Sequence, residues 1–254
     1  MIEAERRTDG RLDITLNRPR RRNALDSGAM ATLADLLASA SRDPDLRCVV
    51  IKGAGGVFSA GRDLKQAAEL DQPTALAQHA AWGEVFQALR RLPAPSVAVV
   101  EGAAVAGGFT LAMATDFLIA ERTAVFGALE MANGFPAAMC TPILAKKAAP
   151  RLGLELALFG KAETAERLYA AGLVNRLADG PEALAAEADA FVAHVLSLNP
   201  LAVRQTLGAY RAAEAQPLEQ ALTAGITLNQ LIEASGNFKA GGAAFAKGAD
   251  RSEK

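Results

Sequence analysis

The sequence predicts an α/β fold in the first half of the chain and an almost wholly helical second half. Three observations carry this. Two short β-branched runs, Cys48-Val49-Val50-Ile51 and Val97-Ala98-Val99-Val100, are nearly continuously apolar, as in strands covered on both faces. Helix-period segments lie between such runs, which requires parallel crossovers. After Pro136 the pattern turns helical, and glycines and prolines (Gly160, Gly172, Gly180, Pro200, Pro217, Gly236) separate the segments.

Taken in order, Leu12, Ile14 and Leu16 alternate with polar residues over 11–16, the period of a half-buried strand, and Asn17-Arg18-Pro19 ends it. Asp26-Ser27 offers caps for a helix through about Ser41. Leu46 to Ile51 reads as a strand, closed by Gly53-Ala54-Gly55-Gly56. Pro73-Thr74 opens a helix to about Leu89, and Ser96 to Val100 is the next strand. Gly108 to Ala114 has almost no polar face and reads as a buried helix, and Asp116 to Ala120 as a strand. Helices then centre on 139–148, 152–158, 165–171, 181–197, 202–213, 218–234 and 238–246. The stripe Leu218, Leu222, Ile226, Leu231 and Ile232 is too apolar to face water, so this tail must pack on the first half or on another subunit.

The 254 residues suffice for a large domain with a small appendage, and 51% hydrophobic residues allow a core without disulfides. With 27 basic and 28 acidic residues no global field points to nucleic acid or an anionic membrane, and 5% aromatic content leaves little for base stacking. Cys48 and Cys140 lie in a strand-like and a helix-like run and read as buried thiols. His79 and His194 have no ligand spacing, so no metal is expected. The polar start is unlike a signal peptide, and no apolar run reaches the ~20 residues that span a bilayer. A cytoplasmic protein is expected.

Two glycine-bearing turns carry the chemistry. Phe58-Ser59-Ala60-Gly61-Arg62-Asp63-Leu64 and Gly102-Ala103-Ala104-Val105-Ala106-Gly107-Gly108 each follow a strand and lead to a helix. Backbone N–H groups at such junctions stabilise negative charge, and two of them around one oxygen form an oxyanion hole. Phe126 to Met131 brings the carboxylate of Glu130 near a third strand end. An oxyanion site plus one carboxylate points to proton chemistry beside a carbonyl. Asp63 reads as a helix cap and Asp116 as a structural acceptor, while the direction of Glu101 is unreadable.

At these residues the chain resembles the enoyl-CoA hydratase/isomerase (crotonase) superfamily over essentially its full length. The matching segments are Leu16-Asn17-Arg18-Pro19 with Asn23-Ala24-Leu25, Phe58 to Leu64, Glu101-Gly102 through Gly108 with Leu111-Ala112 and Asp116, Phe126 to Glu130 with Gly134 and Pro136, and Ala170 to Asn175. The resemblance implies a spiral of β-β-α units over 1–190 and a helical C-terminal region over 191–254 used in trimerisation, as a homotrimer or homohexamer. It implies an acyl-CoA substrate, with coenzyme A part of the substrate and no other cofactor. By position, the backbone N–H groups of Arg62 and Gly107 would be the oxyanion donors and Glu130 the catalytic carboxylate. Ala60, Asp63, Leu64, Lys65 and Arg22 would contact the coenzyme A moiety, and Phe245 and Lys247 would cover a neighbour's nucleotide.

One departure matters. Many hydratases of the family use two glutamates, and Thr110 stands where the first would be. A single base suits transfer of a proton between C2 and C4, a Δ3–Δ2 isomerisation, and in a partly apolar pocket its pKa should be raised. The Thr110 hydroxyl can still hold a water, so hydration stays open beside thioester hydrolysis, decarboxylation and binding without turnover. Trp82, Phe86, Phe135 and Met139 are the expected pocket walls.

Overall fold

The computed structural model describes residues 1–236. The predicted helix over 238–246, with Phe245 and Lys247, lies outside the described residues. The chain divides into two units, Met1–Val203 and Arg204–Lys254.

The first unit runs β1 (Ile2–Arg6), β2 (Arg11–Leu16), α1 (Ser27–Ala40), β3 (Cys48–Gly53), α2 (Leu64–Glu69), α3 (Gln72–Arg91), β4 (Ser96–Val100), β5 (Ala103–Val105), α4 (Gly107–Ala114), β6 (Phe117–Glu121) and β7 (Val125–Gly127). It continues with α5 (Cys140–Lys147), α6 (Pro150–Leu158), β8 (Glu163–Thr164), α7 (Ala165–Ala170), β9 (Arg176–Ala178) and α8 (Pro181–Ser197). Helix α9 (Pro200–Ala213) crosses into the second unit, which also holds α10 (Leu218–Ala234).

Among the described residues the strands form a six-stranded sheet, β1-β2-β3-β4-β6-β9, and a three-stranded sheet, β5-β7-β8. In the large sheet only the β1–β2 pair is antiparallel. Its central strands are apolar on both faces because both faces are covered. Ile51, Ala98 and Val100 join the main core with Leu33 and Leu37 of α1 and Val85 and Leu89 of α3. Val50, Val97, Val99 and Ile119 point the other way, onto Leu184, Ala188 and Val192 of α8. Alternate side chains thus enter two cores, which removes the polar positions a one-sided strand would show.

Capping follows the sequence closely. Asp26 accepts from the Ala29 N–H at 2.9 Å and starts α1. The third helix starts a residue before Pro73 because Asp71 caps it, accepting from the Thr74 N–H at 2.9 Å.

The small sheet corrects a simple alternation of strand and helix. Strand β5 follows β4 after Glu101-Gly102, and β7 follows β6 after a short turn, so each of these two strands is succeeded by a three-residue strand before the next helical segment. Ser59 adds to the same layer through a bridge to Ala104, with its N–H on the Ala103 carbonyl at 3.1 Å and the Val105 N–H on its own carbonyl at 3.0 Å. This is the expected β-β-α repeat. Strands this short have no readable period, and neither have β8 and β9, which interrupt the half predicted to be almost wholly helical. The polar N-terminal run is an edge strand, β1, in which only Ile2 is partly buried.

In the second unit α10 presents Leu218, Leu222, Ile226 and Leu231 as exposed apolar side chains. No helix of the described residues is long and apolar enough to cross a membrane.

Candidate active site

The first turn is held almost entirely by distant backbone. The Phe58 N–H bonds the Glu101 carbonyl at 3.0 Å, Ser59 the Ala103 carbonyl, and Ala60 the Arg22 carbonyl at 2.9 Å. The Gly61 N–H bonds Ser59 Oγ at 3.0 Å, and the Asp63 N–H bonds the Leu25 carbonyl at 2.9 Å. From Phe58 to Asp63 the Arg62 N–H alone is left without an acceptor among the described residues.

The second turn repeats the pattern. The Ala106 N–H bonds the Gly127 carbonyl at 2.7 Å, and the Thr110 N–H returns to the Ala106 carbonyl at 3.1 Å. Between them the Gly107 N–H, in the first turn of α4, has no acceptor among the described residues. Ala106 itself is held at φ 50° and ψ −127°, a conformation that costs a residue with a Cβ roughly 1–3 kcal/mol. That strained peptide sets the direction of the Gly107 N–H.

The two turns touch. Gly61 has φ +85°, and a Cβ on it would lie 2.5 Å from the Gly107 nitrogen. A Cβ on Gly108 would lie 2.2 Å from the Ser59 carbonyl oxygen. Only glycines allow this approach, which brings two unsatisfied N–H donors into one small region, an arrangement able to hold a single oxyanion. Asn23 supports it from behind. It is buried, and its amide donates to the carbonyls of Ala54 at 2.9 Å and Val57 at 2.6 Å.

Arg62 and Gly107 line a cleft of about 350 Å³ with Ala60, Leu64, Thr110 and Glu130. Trp82, Phe135 and Met139 form apolar wall there. Phe86 stands behind, edge-on to Trp82 with ring centroids 4.7 Å apart, and is not part of the lining.

Glu130 leads into a single 3₁₀ turn, Met131–Asn133, after β7. Among the described residues it is the one carboxylate lining the cleft. Its Oε2 is buried and has no hydrogen-bond partner among the described residues. Burial pushes its carboxyl above the usual range, opposed only by its own backbone N–H. Thr110 is buried, and its hydroxyl donates to the Ala106 carbonyl at 3.3 Å. The Cys140 thiol is pushed up to about 12 by burial, which leaves no thiolate for a nucleophile at neutral pH.

The remaining residues divide. Ala60 and Leu64 face the cleft. Asp63 is committed elsewhere: it caps α2 by accepting from the Gln66 N–H at 3.3 Å, and takes Arg18 Nη1 at 2.7 Å. Arg22 and Lys65 are exposed outside the lining, Arg22 tied to the site through its carbonyl on Ala60 and Lys65 next to Leu64. Arg18 belongs to a structural network with Asp63 and Asp26, so the usable basic patch is Arg20, Arg21 and Arg22. Asp116 accepts from the Ser96 N–H and hydroxyl, as a structural acceptor should.

The roles of Gln78 and His79 beside Arg62 went unread in the sequence. The Arg62 side chain turns to α3, where Nε donates to Gln78 Oε1 at 2.6 Å and Nη1 meets His79 Nε2 at 3.3 Å. The signal was present: Gln78 shares a helical stripe with Trp82, Val85 and Leu89, and a glutamine on a buried stripe needs a partner.

Comparison with known proteins agrees with this architecture. The family model described as enoyl-CoA hydratase/isomerase matches residues 6–251. Enoyl-CoA hydratase EchA19 of Mycobacterium tuberculosis is 32% identical over 241 residues, 93% of this chain and 90% of that protein. A carnitinyl-CoA dehydratase of Salmonella typhi is 34% identical over 214 residues, 82% of this chain and 80% of that protein. Among solved structures, an enoyl-CoA hydratase from Polaromonas superposes with a TM-score of 0.87 at 31% identity, covering 97% of both chains. One from Mycobacterium smegmatis superposes with a TM-score of 0.85 at 29% identity, over 91% of this chain and 90% of that one. Fold, paired turns and sequence therefore agree, and the chain belongs to the enoyl-CoA hydratase/isomerase family.

Proposed function

We propose that the cleft binds an acyl-CoA thioester, that the N–H groups of Arg62 and Gly107 hold its carbonyl oxygen as an enolate forms, and that Glu130 moves the proton. Two donors aimed at the developing charge acidify C2 without any side chain, each worth roughly 3 kcal/mol in comparable sites. The carrying observation is that, among the described residues, Glu130 is the cleft's one carboxylate and has a buried oxygen with no hydrogen-bond partner. A base so placed can take a proton from C2 of a 3-enoyl thioester and return it to C4 of the resulting dienolate, so that the double bond moves from C3=C4 to C2=C3, a Δ3–Δ2 isomerisation. The raised pKa fits a group that must hold the proton between the two steps. Moving a proton requires no cofactor beyond the coenzyme A of the substrate.

Hydration of the 2-enoyl thioester is the second reading, favoured by the relatives, whose names are hydratase and dehydratase. In that case the Thr110 hydroxyl would help hold the water. The test is separate incubation with 3-hexenoyl-CoA and crotonyl-CoA, followed by mass and chromatography. Conversion of the first to its 2-enoyl isomer without mass gain supports the lone shuttle. Gain of one water on the second moves the assignment to hydration.

The exposed stripe of α10 fits a surface covered by further copies of the chain. A trimer or hexamer by light scattering is expected, and a monomer would refute it.

A further inference from the structure

Arg62 lines the cleft, and its guanidinium has no counter-ion among the described residues. Arg11 and Arg18, also withdrawn from solvent, each face two carboxylates: Asp13 and Asp189 for the first, Asp63 and Asp26 for the second. Arg62 has only neutral acceptors, Gln78 Oε1 and His79 Nε2. An arginine cannot accept, so His79 Nε2 must be the bare nitrogen of a neutral ring. Burial and the neighbouring Arg62 charge both lower the His79 pKa, which keeps it neutral. Burial likewise lowers the pKa of Arg62, the mark of a cation desolvated without compensation. The guanidinium is nevertheless held in place. Gln78 is 3% exposed, and its amide donates to Ser27 Oγ at 3.0 Å, anchoring α3 to the start of α1. No ion pair links Arg62 to Glu130 among the described residues, so the base is not its partner either.

Two of the five N–H groups of Arg62 are used. The remaining three, on Nη1 and Nη2, suffice for the paired donation that matches a carboxylate. Phosphates of coenzyme A have other cations available, since Arg22 and Lys65 are exposed outside the lining. Arg62 shares the lining with Thr110, Glu130 and Trp82, and in the reading above its own backbone N–H holds the reacting carbonyl.

We propose that Arg62 is a specificity residue that receives a carboxylate on the acyl chain, so that the preferred substrates are CoA thioesters of dicarboxylic acids. Gln78 and His79 act as positioning residues for it. This rests on the acyl-CoA reading above and deepens it.

The experiment is calorimetric binding of unreactive saturated thioesters, so that turnover is not needed. Succinyl-, glutaryl- and adipyl-CoA are compared with butyryl-, pentanoyl- and hexanoyl-CoA, and with coenzyme A alone. At one chain length or more the carboxylate should tighten binding by ~10-fold or more, the range for a hydrogen-bonded charge. Arg62→Met should abolish that ratio, Arg62→Lys should keep part of it, and Gln78→Leu should shrink it. Equal binding of acid-ended and methyl-ended thioesters to the unmodified protein at all three lengths overturns the proposal, whatever the variants do. Equal weakening of coenzyme A and dicarboxylyl-CoA by Arg62→Met also overturns it and assigns the guanidinium to phosphate. Failure of every thioester and of coenzyme A to bind overturns the acyl-CoA reading itself.

Discussion

Asp63 and Glu130 are carboxylates at two strand-end turns of one unit, and their surroundings are opposite. Asp63 closes a network. Burial alone would raise its pKa, but the Arg18 hydrogen bond, the Gln66 N–H and the charges of Arg18 and Arg21 outweigh burial and hold it below the usual range. Glu130 has burial and little else, so its pKa rises. The lesson concerns use. A satisfied carboxylate fixes a turn, whereas one with an orphaned oxygen is held ready for a proton at a cost in stability.

The strongest way to break this contrast is Glu130→Gln. It should lower kcat by about 100-fold or more. Under the same contrast it should raise Tm, because it removes the penalty of a buried charge. Full activity by steady-state assay would remove Glu130 from the mechanism, and a lower Tm by calorimetry would contradict its unsatisfied environment.

Next comes the contact between the two turns. Gly108→Ala places a methyl against the Ser59 carbonyl and must push the turns apart. Stability should fall by about 1–3 kcal/mol, as for overpacking elsewhere. kcat should fall with KM less affected, since the lost interaction is made mainly in the transition state. Unchanged kcat in the folded variant would show that the spacing of the two donors is not needed.

The pH dependences should also separate. For Asp63 the folded pKa lies below the unfolded value of ~3.9, so its stabilisation is present above that value and lost as pH falls through the folded pKa. For Glu130 the folded pKa lies above the unfolded ~4.3, so its contribution is present below that value and lost as pH rises through the folded pKa. Chemical denaturation of Asp63→Asn across pH 3–7 should show a loss of ~1 kcal/mol near neutrality, the difference between a charged and a neutral acceptor for Arg18, since asparagine still caps α2, and a smaller loss in acid. The acid limb of the kcat profile should lie above ~4.3, the ordinary glutamate value. A limb at or below that value would argue against a buried base.

The smallest effect belongs to the surface. Lys65→Ala or Arg22→Ala should raise KM a few-fold with kcat little changed, in keeping with the ~0.2–1 kcal/mol of exposed charge contacts. An effect as large as that of Glu130→Gln would mean that these side chains reach the reacting atoms.

The elements with long periods were legible from sequence. Helix α1 starts at the expected Asp26 cap, β4 spans the expected Ser96–Val100, and α8 spans the expected 181–197. The missed elements are short or polar. Strands β5, β7, β8 and β9 have two or three residues each, less than two turns of any pattern, and exist because neighbouring segments supply their hydrogen bonds. The candidate site was legible as two glycine turns and one glutamate. The roles of Gln78 and His79 were not, because nothing local ties them to Arg62, sixteen and seventeen residues away.

By itself, then, the sequence determined the alternation of buried strands and helices, the glycine positions where backbones meet, and the carboxylate set near a strand end. These depend on side-chain period and on the steric freedom of single residues, both of which are local. Tertiary structure decided which groups remain unsatisfied. The Arg62 N–H is free because Arg22, Leu25, Glu101 and Ala103 satisfy its neighbours in the turn, the Oε2 of Glu130 is free because no donor folds against it, and the Arg62 guanidinium is uncompensated because α3 offers it neutral groups. Hydrogen-bond satisfaction is a non-local sum over the folded chain, and only the fold supplies the partners.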